Sequence, residues 1–369
     1  MQLNCAFEYI SMRRQFAVDW LIRAQDATPD GGFSYGYYFR GVPFTRMKFG
    51  WRESYIETTG YIAEAFFDLA ARRQDESYGE RALRAANWLL TRQNEDGSFS
   101  NDRYTQNEGI VFDTGQVLFG LVAAFKHTDE EEYLTAARRA ADWLVQKLDP
   151  DGAWRRNTHN SCVHTYNTRT AWAVLELSRV YPNSYYELAA RKNLDWALTQ
   201  LNGTDLFENC GFTPGDTAFT HTIAYAIRGL LEGGLILGDQ NFLGAAQRAA
   251  HRVAEYLRKD GFLPGDINEN GGANTRYACL TGNCQMAIIW YKLFEETGDR
   301  FWLECADAAL SFASHHQNTG SKNQGVRGAL AGSYPFWGKY TPLAYPNWAT
   351  KFLLEALLQK EALILREQN

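Results

Sequence analysis

Six copies of one two-part phrase run through this chain, and they constrain its fold more than any other feature. The first part is an acidic or amide residue, an aromatic and an apolar turn. It reads Asp19-Trp20-Leu21, Asn87-Trp88-Leu89, Asp142-Trp143-Leu144 and Asp195-Trp196-Ala197, then more weakly Glu255-Tyr256-Leu257 and Ser311-Phe312-Ala313. The aromatic members recur every 53 to 68 residues. Several copies run on into Asp30-Gly31, Asp96-Gly97, Asp151-Gly152 or Asp260-Gly261, turn signals in which glycine takes a positive φ without steric cost. The second part interleaves with the first and is anchored at Thr59, Thr114, Thr168, His221, Thr281 and Pro346, spaced 53 to 65 residues apart. Each anchor opens a strongly apolar segment, and the Asp, Asn and Thr around it are helix N-cap residue types, whose oxygens accept unpaired backbone N–H groups.

The pattern predicts twelve helices in six hairpins. Amphipathic, Ala/Arg-rich outer helices alternate with inner helices that are apolar on most faces, as helices buried between neighbours are. All inner helices then run the same way. Period-2 strand patterns are scarce, which argues against a parallel sheet. Six such hairpins close into an all-α (α/α)6 toroid, so 369 residues make one domain rather than the two or three that length suggests. A solenoid of shorter repeats is the competing reading, but these repeats are long and carry long loops.

In a closed toroid the six inner N-termini meet at one mouth. The loops leading into them are long: 41–57, 101–112, 155–166, 208–219, 263–280 and 317–344. Long loops on one face of a rigid scaffold are where function usually sits, and six inward N-termini add partial positive charge there. The loops carry Trp51, Arg52, Glu53 and Glu57, then Asp113, then His164, Tyr166, Asn167 and Arg169, then His221, then Arg276 and Gln285, and finally Tyr334, Trp337, Tyr340 and Asn347. Aromatic faces interleaved with amides, Arg and carboxylates suit a sugar ring, which stacks through its C–H face and is hydrogen-bonded around its rim. With 37 Lys+Arg against 43 Asp+Glu and no basic cluster, a nucleic-acid surface is not expected.

Three chemistries fit these residue types. Glu53 or Glu57 with Asp113, on adjacent inner helices about 8–10 Å apart, suits the wider carboxylate separation of inverting glycoside hydrolysis. Alternatively His164 and Tyr166 transfer protons in β-elimination or epimerisation of a uronate, with Arg169 as the anion clamp and Trp337 and Tyr340 as stacking lids. Asp113, Glu57 and His221 face them across the mouth. Each residue also has a plainer role open to it: Asp113 and Asn167 as caps, His221 as a core histidine, Arg169 as a salt-bridge partner. No cofactor is expected. Cys162, His164, Cys210, His221, Cys279 and Cys284 fall near the mouth, but no pair has tight zinc-ligand spacing, so no metal is expected either. The scattered cysteines, the polar N-terminus and the lack of any long apolar run predict a cytoplasmic protein without a membrane span.

The hairpin repeat resembles the large (α/α)6 superfamily of six-hairpin glycosidases, uronate lyases and epimerases, and terpenoid cyclase and prenyltransferase toroids. The run from Trp88 to Phe99 is similar to the Gln-Trp repeats of squalene cyclases and prenyltransferases, although neither a DxDD nor a DDxxD acid motif is present. Phe112-Asp113-Thr114-Gly115-Gln116, His164-Thr165-Tyr166-Asn167-Thr168-Arg169 and Gly332-Ser333-Tyr334-Pro335 with Tyr345-Pro346-Asn347-Trp348 resemble bacterial proteins found with polysaccharide-assembly enzymes. The mouth residues, with this resemblance beside them, predict a carbohydrate-active protein that acts on an acidic oligo- or polysaccharide by lyase- or epimerase-type proton abstraction or by glycoside hydrolysis. The alternatives are a terpenoid-cyclase-like enzyme and a non-catalytic glycan-binding toroid.

Overall fold

The structure is a computed structural model that describes residues 2–39, 50–100 and 108–368. Its twelve α-helices are α1 (Gln2–Asp26), α2 (Ile56–Arg73), α3 (Glu76–Leu90), α4 (Val111–Thr128), α5 (Glu131–Lys147), α6 (Thr168–Val180), α7 (Ser184–Thr199), α8 (Thr220–Leu237), α9 (Gln240–Ala254), α10 (Leu280–Thr297), α11 (Arg300–His315) and α12 (Asn347–Gln368). The even-numbered helices pack in sequence, α2 on α4, α4 on α6 and onward to α12, and α12 returns to α2 to close the inner ring. Each odd-numbered helix packs outside the inner helix it follows, while α1 covers α12. This is the (α/α)6 toroid, and the six inner helices begin within three residues of the anchors at Thr59, Thr114, Thr168, His221, Thr281 and Pro346.

The repeat residues explain the packing. Trp20, Trp88, Trp143 and Trp196 are all buried in the wall between helices. Gly97, Gly152 and Gly261 all have positive φ, and a Cβ on any of them would meet the backbone oxygen of Arg139, Lys192 or Ala308 on the next outer helix at 2.0–2.4 Å. The Asp-Gly turns therefore dock each hairpin on its neighbour.

The threonine column is not a set of caps. Thr59 and Thr114 lie inside the first turn and accept the backbone N–H of Phe33 and Phe99, both at 3.0 Å, which pins the Asp-Gly-x-Phe turn to the inner helix. The inner helices α2, α4, α6 and α8 have no side-chain cap. Asp75, Asn183, Asp239 and Asp299 instead cap the outer helices α3, α7, α9 and α11.

The mouth loops also hold more regular structure than their composition suggested. One antiparallel sheet joins β1 (Gly36–Tyr38) to β2 (Gly50–Trp51) and to β7 (Ala344–Pro346). A second runs β3 (Ala218–Phe219), β4 (Pro264–Ile267), β5 (Ala273–Cys279) and β6 (Ser333–Tyr334). Residues 40–49 and 101–107, which the sequence places in two of the mouth loops, lie outside the described residues.

The α2–α4 contact is close enough to test. A Cβ on Gly120 would lie 2.5 Å from the Gly60 oxygen, and one on Gly60 would lie 2.4 Å from the Gln116 oxygen. Gly120→Ala is expected to lower stability by roughly 1–3 kcal/mol, as overpacking of a tight core does. Gly244 on α9 meets only the tip of Arg248, at 3.6 Å. Gly244→Ala is expected to gain a few tenths up to about 1 kcal/mol from helix propensity. Urea midpoints that move the same way for both substitutions would contradict this packing.

Candidate active site

Inside the mouth, where the inner helices begin, lies a cavity of about 590 Å³. Nine of its nineteen described lining residues are aromatic, among them Tyr35, Tyr55, Phe112, Tyr166, Phe219, Tyr225, Tyr340 and Trp348. Its polar wall is formed by Glu57, His159, Asn160, His221 and Lys339. The sequence suggested a mixed polar lining. The wall is more aromatic than that, although five of the nine rings are tyrosines. A groove of about 520 Å³ on the outer helices, beside Asp30 and Trp88, gathers no comparable set of groups.

One polar cluster dominates. His159 Nε2 lies 2.9 Å from Asp113 Oδ1. Asp113 is fully buried in the first turn of α4, and its Oδ2 has no hydrogen-bond partner. Glu57, in the first turn of α2, accepts a 2.9 Å bond from the Tyr55 hydroxyl and lines the cavity. Burial, then the neighbouring Asp113 charge, raise the Glu57 pKa to about 8, so it holds a proton at neutral pH. Burial disfavours the His159 cation, but the charge and hydrogen bond of Asp113 outweigh it and raise the His159 pKa. The cluster thus sets a carboxyl that retains its proton beside a hydrogen-bonded Asp113–His159 pair, with the Tyr166 hydroxyl 3.4 Å from His159 Nδ1.

Glu57, Asp113 and His159 each present a ligand-type atom within 4.8 Å of the others. Among the described residues this trio, rather than the set Cys162, His164, Cys210, His221, Cys279 and Cys284, is where ligand-type atoms gather closely enough for a cation. The Asp113–His159 hydrogen bond and the proton retained by Glu57 suit the trio to proton transfer. The same closeness corrects the expected carboxylate spacing. Groups under 4.8 Å apart leave no room for the water that an inverting pair brackets at 6.5–9.5 Å.

The other candidates divide into three groups. Tyr166, His221 and Tyr340 line the cavity with Glu57. Burial lowers the His221 pKa to about 3, so this imidazole is neutral. Its Nδ1 donates to Gln285 Oε1 at 2.8 Å, which leaves Nε2 as an acceptor and not as a base of useful strength. Tyr340 accepts from Trp348 Nε1 at 2.7 Å.

The second group sits behind the wall. Both ring nitrogens of His164 lie against backbone carbonyls, those of Gly211 at 3.0 Å and His159 at 2.7 Å, so His164 clamps its loop and has no nitrogen free for a substrate. Asn167 is buried with its amide unpartnered and lies outside the lining. Asn347 is fully buried, donating to Ser34 O and Thr58 Oγ1. Arg169 is buried among Tyr61, Phe119, Trp172, Tyr225 and Phe352, and its Nε donates to Gln116 Oε1 at 2.6 Å.

The third group is on the rim or surface. Trp51 packs on Trp20, Arg52 lies over the Tyr38 ring, and Glu53 and Arg276 are exposed. Tyr334 and Trp337 are exposed as well, Trp337 at 73%.

His159 is the principal residue that the sequence reading passed over. It lies five positions before His164 in the same loop, and spacing alone does not say which histidine turns inward. The loop reverses at Asn160 and Ser161, both at φ 53°, and this turns His159 toward α4.

The profile of the family described as the ulvan lyase N-terminal domain matches residues 112–281, which include Asp113, His159, Tyr166 and His221 but not Glu57 or Lys339. An unsaturated glucuronyl hydrolase specific for heparin superposes with a TM-score of 0.74 at 16% identity, covering 96% of this chain and 98% of that one. The cellobiose 2-epimerase of Spirochaeta thermophila superposes with a TM-score of 0.76 at 15% identity, covering 100% and 98%. At such identities the likeness establishes the toroid fold. Mouse lanosterol synthase is 28% identical over 170 residues, 39% of this chain and 22% of that enzyme, and the human enzyme is 28% identical over 149 residues. The match therefore spans about a fifth of the length of these relatives. Among the described residues, no helix is long and apolar enough to cross a membrane.

Proposed function

We propose that the protein is an enzyme of carbohydrate metabolism that moves a proton to or from an acidic oligo- or polysaccharide, as lyases and epimerases do. The observation that carries this reading is the Glu57 carboxyl facing the cavity within 4.8 Å of the Asp113–His159 pair, where burial and the Asp113 charge raise its pKa to about 8. A carboxylic acid whose pKa lies near the working pH is suited to general acid–base catalysis. When Glu57 gives up its proton, the nascent carboxylate lies beside His159, whose pKa is raised by Asp113 and whose positive charge favours the ionised form of Glu57. Tyr55 keeps its hydrogen bond to Glu57 in either state. Asp113 is fully buried and lies outside the cavity lining, so two-carboxylate displacement is the less suitable chemistry. The tyrosine-rich wall offers ring faces to the C–H face of a sugar and hydroxyls to its rim. The family profile and the structural neighbours, whose names are those of saccharide-acting enzymes, support the same class, and one neighbour carries the acidic tetrasaccharide dGlcA-Glc-Rha-Glc. The cysteines are all unpaired, which fits a reducing compartment and a cytoplasmic location.

A second reading rests on the aromatic wall and the local likeness to lanosterol synthase. Glu57 would then protonate an isoprenoid, and the rings would stabilise a carbocation. A thermal-shift panel separates the two. Glucuronyl oligosaccharides at about 100 times their Kd are expected to stabilise the chain by roughly 2–3 kcal/mol, seen as a rise of several degrees in Tm. Stabilisation by prenyl diphosphates with none by any saccharide would overturn the proposal.

A further inference from the structure

We infer that Lys339 is the anchor for an anionic group on the sugar and sets the preference of the site for acidic substrates. The inference rests on the saccharide reading above and begins from where the positive charges lie. Arg169, the residue that the sequence marked as the anion clamp, is enclosed by five aromatic rings and bonded to Gln116. Lys351 is fully buried and paired with Glu355 at 2.7 Å. His159 is committed to Asp113, and His221 is neutral. Among the described residues, Lys339 is the one lysine or arginine that lines the cavity, and no carboxylate there pairs with it.

Its position suits the task. The side chain is exposed, and its Nζ is 5.3 Å from the centroid of the Phe219 ring, itself part of the cavity wall. Phe219 is braced by Tyr340, at 5.1 Å between ring centroids. A cation over an aromatic face is held loosely, by about 0.5–1 kcal/mol at an exposed site, and its charge is not neutralised. The ammonium is therefore biased toward the wall yet remains able to accept an anion. Phe219 immediately precedes α8, three inner helices around the ring from α2, which carries Glu57. An anionic group held at Lys339 therefore sits across the mouth from Glu57, with the rest of the ring turned toward the Glu57 proton. The inner helix N-termini add to the positive potential on that path. A uronate carboxylate and a sugar sulfate ester share the required chemistry, and binding experiments tell them apart.

The test is calorimetric titration of the full chain with four probes: glucuronyl-β-1,4-glucose, its methyl ester, cellobiose and cellobiose 6′-sulfate. The parent protein is expected to bind the carboxylate probe or the sulfate probe about tenfold more tightly than the ester, the gain typical of one charge-assisted hydrogen bond. That preference should shrink as salt is raised. The better-bound anion identifies the source. Lys339→Met should bring the ratio of acid to ester affinity to about one, and Lys339→Arg should keep most of it. The inference is overturned if Lys339→Met keeps the parent ratio, or if both variants lose all four probes alike. A parent that binds the ester and cellobiose as well as the acid overturns it too, while leaving the saccharide reading intact. A parent that binds none of the four overturns both.

Discussion

Glu57→Gln is expected to lower turnover by about 10²–10⁴-fold, the range for loss of a positioned general acid, while leaving a folded protein. The groups facing this side chain are Tyr55, Asp113, His159 and, at longer range, Arg169. Burial and the Asp113 charge raise its pKa from 4.5 to about 8, against the opposing pull of His159, Tyr55 and Arg169. The parent rate is therefore expected to fall with rising pH above about 8, as the acid form is lost, and the residual rate of the variant should lack that limb. Stability follows with a definite sign. A carboxyl whose folded pKa is raised binds more protons in the folded state, so its contribution is complete below the ordinary carboxylate value and is lost as pH rises through about 8. The ceiling on this loss is about 5 kcal/mol, and water in the cavity reduces it. Gln imitates the neutral acid at every pH, so the variant should be more stable than the parent above pH 8 and lose less stability between pH 5 and pH 9. A variant with the parent's kcat/KM, or with the same alkaline limb, would remove Glu57 from the proton-transfer role.

The toroid was legible because its cause is local and repeated. A buried Trp, an Asp-Gly turn and a threonine in the next inner helix recur together, and each performs one step of the docking: Trp143 fills the wall, Gly152 meets the Lys192 carbonyl, and Thr114 accepts the Phe99 N–H. The mouth followed, since inner helices that start on one side bring their loops together. The site was legible only as a list of loops. Which side chain of a loop turns inward depends on one or two backbone angles that residue type does not fix. His159 and His164 exchange roles across the left-handed pair Asn160 and Ser161. Asp113 had looked equally able to cap its helix, yet α4 begins after Ile110 with no side-chain cap, and Asp113 is left free to meet His159. Lys339 carried no local signal, because its meaning comes from how completely the other cations are enclosed.

Arg169 shows how a sequence argument can be sound at the level of the loop and fail at the level of the side chain. It follows the anchor Thr168, so it belongs to the mouth end of α6, but successive helix residues diverge by about 100° around the axis. Thr168 Oγ1 turns to the Ala226 carbonyl on α8, and Arg169 turns into the ring axis toward Gln116 on α4. That placement suits a post between inner helices. Arg169→Ala would leave a void among Tyr61, Phe119, Trp172, Tyr225 and Phe352 and strip Gln116 Oε1 of its donor. The expected cost is about 3–5 kcal/mol, the range for deleting a large buried side chain and orphaning a buried acceptor. Arg169→Met refills most of that volume and removes a buried charge whose desolvation is itself costly, so it should recover more than half of the loss. Because Arg169 helps to hold the Glu57 pKa down, the same substitution should move the alkaline limb of activity to higher pH. Chemical denaturation of the parent and both variants gives the first comparison, and glucuronyl-disaccharide affinity at a temperature where all three are folded gives the second. If Arg169→Ala is as stable as the parent but no longer binds the disaccharide, Arg169 is the anion clamp after all and its place as a structural post is wrong.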